Sequence, residues 1–116
     1  MVPTYKPSSL HHLLYVSQAT HPLTDIEMMR LVIHAQFKNR ELHITGLLLY
    51  EDGIFAQTIE GPQANIDTLY FQICADDRHH YVHLLEYHAI RHRAYPTWRM
   101  AYSNPVSGVV MNSQFC

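Results

Sequence analysis

Apolar residues in this chain recur first at every second position and then at every third or fourth, and the changes of period mark out its elements. In LHHLLYVS, residues 10–17, Leu13, Tyr15 and Ser17 fall on one face and His12, Leu14 and Val16 on the other, as in a strand. The turn-rich QATHPL ends it. Thr24 followed three residues later by Glu27 forms a capping-box pattern and predicts a helix over residues 25–38. Met28, Leu31, Val32 and Ala35 make its stripe, and Ile26, Met29, Ile33 and Phe37 widen it. So broad an apolar surface exceeds what one sheet face requires, and suggests something flat and apolar between the helices.

A hairpin follows: strands over 44–50 and 54–60 flank Glu51-Asp52-Gly53, and Asp-Gly is the strongest turn signal in the chain. Gly61-Pro62 stops the second strand. Ile66, Leu69, Tyr70 and Ile73 fall at helical spacing and predict a helix over 63–75. After the polar DDRHH, YVHLLEYHAI (81–90) and YPTWRMAY (95–102) read as two more strands. The order β-α-β-β-α-β-β is that of an α+β, ferredoxin-like domain with both helices on one face of a mixed five-stranded sheet. Residues 1–9 read as an extension and 103–116 as a short tail.

The same period of two sets Gln57 between Phe55 and Ile59 on a face bulky enough to be buried. A buried amide left unpaired costs on the order of 1–3 kcal/mol, so Gln57 needs a polar partner in the core. Tyr15 supplies one if its strand is adjacent. Trp98, Met100 and Tyr102 share a face of the last strand by the same count. On periodicity alone, a Tyr-Gln hydrogen bond that satisfies both groups and does nothing more is the simpler reading.

Composition narrows the classes. At 116 residues, 47% hydrophobic and 16% charged, the chain makes one small folded domain. A formal charge of -2 gives no footprint for nucleic acid, and the cluster Arg91, His92, Arg93 and Arg99 reads as a solvated strand end. Cys74 and Cys116 form no disulfide framework, and no apolar run is of membrane length, so a cytoplasmic protein is expected. Ten histidines include the pairs His11-His12 and His79-His80, but neighbours on a strand point to opposite faces, and no metal set is expected.

LLYVSQA, KNRELHITGLLLYEDGIFAQTIEGP, DDRHH and WRM, spread over residues 10–102, together resemble the BLUF family of blue-light sensors that use FAD. The resemblance implies a photosensor domain over 10–102, no enzyme activity, and FAD held non-covalently between the two helices, with FMN or riboflavin as partial occupants. By position, Tyr15 matches the family's electron donor and Gln57 its switching glutamine, while Trp98 and Met100 match the pair linked to signalling. Leu31, Ala35, Lys38, Asn39, Ile73, Arg78 and His79 are the further implied flavin contacts. Asn39 also reads as a helix C-cap, and Arg78 and His79 as braces at the end of the second helix. Lys38 stands where relatives often place His or Asn, and Gln72 where some carry a basic residue. A short stand-alone BLUF protein is implied, signalling through a homo-oligomer or a downstream protein, without nucleic acid or membrane. Two other classes compete. An acylphosphatase-type enzyme needs an Arg in a Gly-rich loop after the first strand, and SQATHPLT has neither; a cofactor-free interaction module leaves Gln57 as a satisfied core amide.

Overall fold

The computed structural model describes residues 9–104 and 109–111. Among these, β1 (Leu10–Ala19), α1 (Asp25–Glu41), β2 (Thr45–Glu51), β3 (Ile54–Pro62), α2 (Gln63–Cys74), β4 (His79–Ile90), β5 (Ala101–Asn104) and β6 (Val109–Met111) follow in that order. The strands form one sheet, β4-β1-β3-β2-β5-β6. Every neighbouring pair is antiparallel except β2 with β5. This is the expected ferredoxin-like α+β architecture with a mixed sheet. Met28 and Val32 of α1 and Ile66 and Leu69 of α2 join Leu13, Tyr15, Leu48, Phe55 and Ile59 in a single core. Both helices therefore cover the same sheet face.

Local chemistry sets the boundaries. The Thr24 hydroxyl accepts from the Glu27 amide while the Glu27 carboxylate accepts from the Thr24 amide, so the capping box starts α1 as expected. Asp52 and Gly53, with φ of 50° and 77°, close the hairpin as a two-residue loop of left-handed residues. Helix α1 runs on to Glu41 with Leu42 as its C-cap. Asn39 thus lies inside the helix, 1% exposed, and the C-cap reading does not hold.

Three expectations are corrected. The strand expected over 95–102 begins only at Ala101, because Pro96 lacks an amide hydrogen and Tyr95 to Trp98 instead form a turn, Trp98 N donating to Tyr95 O at 3.3 Å. Val109–Met111 adds a short strand within the residues expected to be tail. The residues that widen the stripe of α1 do not face the interior: Ile26, Met29, Ile33 and Phe37 are all exposed.

Candidate functional site

Because β1 and β3 are adjacent and in register, Tyr15 lies directly opposite Gln57, and Leu48 of β2 flanks Gln57 on its other side. The Tyr15 hydroxyl donates to Gln57 Oε1 at 2.5 Å. Burial, then the nearby Tyr70, Asp76 and Cys74, pushes the phenol's pKa far above the ordinary tyrosine value, so Tyr15 stays protonated and donates. The other end of the amide, Gln57 Nε2, donates to Met100 Sδ at 3.6 Å. A thioether is a weak acceptor, so Gln57 is held strongly at one end and loosely at the other.

Above this pair a cleft of about 220 Å³ opens between the helices. That is below the roughly 300–1,000 Å³ of sites that enclose a whole drug-sized ligand, so it has room for part of one, such as a ring system. Leu31, His34, Ala35 and Lys38 approach it from α1, at the i, i+3, i+4 and i+7 positions of one helical stripe, and Leu69, Gln72 and Ile73 from α2. Tyr15, Gln57, Leu48 and Phe55 form its floor and Asn39 one polar corner. Asp76, Arg78 and His79 stand at its margin. Apolar walls and an amide at the base fit an aromatic heterocycle with a polar edge.

The margin is ordered by its own contacts. Arg78 forms an ion pair with Asp76, Nε donating at 3.0 and 3.1 Å, and this hydrogen bonding holds the Asp76 carboxyl below its usual range. His79 Nε2 donates to Ile73 O, which leaves Nδ1 to accept from the Ser17 hydroxyl at 2.7 Å. The His79 ring meets Tyr15 and Phe55 edge-on.

The segment between β4 and β5 delivers Met100, and it is tied at both ends. Glu60, 2% exposed, accepts from Ala94 N through Oε2 at 2.7 Å and from Tyr95 N through Oε1 at 2.8 Å. Arg93 is not the solvated strand end expected of it: Nη1 donates to Thr45 Oγ1 and Glu60 O, and Nη2 to His43 O. At the far end Gln36 Nε2 donates to Met100 O at 3.1 Å and Asn39 Nδ2 to Arg99 O at 2.7 Å.

Of the residues proposed from sequence, Tyr15, Leu31, Ala35, Lys38, Asn39, Gln57, Ile73, Arg78 and His79 meet around the cleft. Met100 is fully buried and reaches Gln57 rather than the cleft wall. Trp98 does not share its place. It stacks on Tyr95 at 5.2 Å, outside the cleft lining, since the turn at Pro96 removes the alternation that grouped it with Met100. His34, Asp76 and Gln36 were missed, although His34 lies on the same helical stripe as Leu31 and Lys38.

Fold and site together define an α+β module with a ligand-sized cleft over a buried Tyr-Gln hydrogen bond. The family model for BLUF, sensors of blue-light using FAD, matches residues 10–101. The chain belongs to the BLUF family, whose domains are flavin-binding photosensory modules and not enzymes. It is 42% identical over 89 residues to photoactivated adenylate cyclase subunit beta of Euglena longa, covering 77% of this chain but 10% of that protein. Among solved structures, BlrB, a BLUF protein in its dark state, superposes with a TM-score of 0.80 at 31% identity, over 85% of this chain and 75% of that one. Klebsiella pneumoniae BlrP1 with FMN and cyclic diGMP gives 0.76 at 32% identity, over 82% of this chain and 26% of that one.

Proposed function

We propose that this chain is a blue-light photoreceptor that holds FAD non-covalently in the cleft between α1 and α2 and stores the light signal in the orientation of Gln57. The single observation that carries the reading is the Tyr15–Gln57 hydrogen bond at the floor of a flat apolar cleft. Leu31 and Ala35 on one helix and Leu69 and Ile73 on the other suit the two faces of a ring, and Asn39 and Gln57 its polar edge. Lys38 and His34, also on the α1 side of the cleft, would be in reach of an anionic tail.

A flavin bound there supplies blue-light absorption and an excited state that accepts an electron. Tyr15 would be the electron donor; its hydroxyl proton would then move to Gln57 Oε1 along the hydrogen bond between them, and the amide would release a proton from Nε2 toward the ring, so that Gln57 gains no net charge. When the electron and proton return, the amide is left with its ends exchanged, by rotation or tautomerisation. A rotated Gln57 turns its carbonyl oxygen toward Met100 Sδ, which has no proton to donate, so Met100 must change its position. The change then reaches a partner protein or a second copy of the chain. The free Cys74 and the absence, among the described residues, of a helix long enough to cross a membrane support a cytoplasmic sensor.

Purified protein should be yellow, with flavin absorption that shifts red under blue light and relaxes in darkness; a heat-released cofactor resolved by chromatography identifies FAD or FMN. Tyr15→Phe should keep the flavin and lose the shift. A Tyr15→Phe protein that still shows the persistent red shift would overturn the role given to Tyr15.

A further inference from the structure

On the sheet face opposite the cleft, His12 of β1 lies directly across from His88 of β4, and Leu14 across from Glu86. Glu86 and His88, two residues apart in an unbroken stretch of register, share the outer face with His12; the β-bulge comes only after Leu14, beyond which Leu84 lies across from Tyr15. His12 Nε2 and Glu86 Oε1 are 2.7 Å apart, and the rings of His12 and His88 lie 4.9 Å apart. One donor atom from each of the three residues lies within 4.8 Å of the other two. We propose that His12, Glu86 and His88 bind a divalent transition metal ion of the zinc class, clipping β4 to β1 on the face away from the flavin cleft.

Two imidazoles and one carboxylate are a recurrent three-ligand set for such ions, and leave open positions for water. Mg²⁺ and Ca²⁺, which favour all-oxygen sites, fit it poorly. His88 Nδ1 donates to Ala89 O at 3.2 Å, which leaves the Nε2 lone pair available. This is the outer hydrogen bond that orients a metal-binding imidazole. His12 is only 17% exposed in its side chain, and its Nε2 now shares a proton with Glu86. The ion takes the place of that hydrogen bond: the neutral His12 ring carries its proton on Nδ1 instead of Nε2, and Nε2 and the Glu86 oxygen both turn to the metal. Zinc–ligand distances near 2.0–2.2 Å place tetrahedral donors roughly 3.3 Å apart, so the His88 nitrogen must draw in while His12 Nε2 and Glu86 Oε1 part slightly, which rotation of the exposed Glu86 and His88 side chains provides. Glu60, across from His12 on β3, is not a further ligand, because both its oxygens are engaged by Ala94 and Tyr95.

The test is titration of the full chain with Co²⁺ followed by displacement with Zn²⁺. Expected are one Co²⁺ per chain, with the visible absorption of a four- or five-coordinate nitrogen and oxygen site, full displacement by Zn²⁺ and none by Mg²⁺. His88→Gln and Glu86→Gln should each weaken binding by at least the roughly 10–100-fold seen when a supporting group is lost. His21→Gln, at an exposed histidine in the connection between β1 and α1, should leave it unchanged. Both ligand variants alter exposed residues and keep the fold, as circular dichroism will check. Equal Co²⁺ affinity in wild type, His88→Gln and Glu86→Gln, or binding spread over several weak sites, overturns the proposal.

Discussion

Replacing Glu60 by Gln tests whether the segment that carries Met100 is held by two separate bonds to one carboxylate. Both carboxylate oxygens accept, one from Ala94 N and one from Tyr95 N, in a residue with almost no exposure. Glutamine keeps one acceptor and turns an NH₂ toward the other amide, so one hydrogen bond to a charged group, about 1.5–3 kcal/mol, is lost and donor faces donor. Arg93 adds to the cost, since burial already depresses its pKa and the nearby Glu60 opposes that. Glu60→Ala removes both bonds and should cost about twice as much. With urea m-values of about 1–3 kcal/mol/M, Glu60→Gln should lower the unfolding midpoint by on the order of 1 M at unchanged m. The light-induced shift should survive in the folded fraction with altered dark relaxation. A Glu60→Gln midpoint within the error of wild type would refute the tether.

Other expectations follow from the same structure. A Cβ on Gly46 would sit 1.9 Å from Thr58 O, a main-chain atom that cannot swing away. Gly46→Ala should thus cost at least the upper part of the roughly 1–3 kcal/mol of an overpacked core, read by urea unfolding. Met100→Ala empties a fully buried site and should destabilise by about 2–5 kcal/mol, whereas Met100→Leu should cost under about 1.5 kcal/mol yet deprive Gln57 Nε2 of its sulfur acceptor and change the dark relaxation. At the cleft margin the Asp76 pKa is lowered by Arg78, so the pair's stabilisation is complete above the ordinary aspartate value of 3.8 and fades as the pH falls below it. Acid titration should show that loss in wild type and a smaller one in Arg78→Ala, where only the backbone amide of residue 78 and His79 still favour the carboxylate.

The Tyr-Gln pair was legible because parity alone puts Tyr15 and Gln57 on bulky faces of their strands. Their direct opposition was not, since it depends on β3 lying between β1 and β2. The helix stripes located Leu31, Ala35 and Ile73 at the cleft, but the excess apolar surface that prompted the idea of a ligand proved to point elsewhere, as Phe37 and Ile26 face solvent. Parity failed where the chain departs from regular geometry. Pro96 separated Trp98 from Met100. Parity does put Glu86 and His88 on one face of β4, but their meeting with His12, 74 and 76 residues away in sequence, depends on the register in which β4 pairs with β1. Glu60 and Gln36 gave no pattern, because each serves backbone groups distant in sequence.

These tethers constrain how a signal can leave the site. Met100 has its carbonyl bonded to Gln36, and Arg99 its carbonyl bonded to Asn39, both from α1. Ala101, next in sequence, already pairs with Leu47 of β2. The Met100 backbone is thus gripped from both directions, and a turned Gln57 amide first moves only the flexible thioether. To travel further, the change must break the Gln36 and Asn39 bonds and shift α1, or loosen the short pairing of β5 with β2. The first route costs two hydrogen bonds at buried side chains, and the second disturbs a three-residue register one strand in from the sheet edge, with only the short β6 beyond it. On the proposed function, β5 is therefore the lower-cost exit.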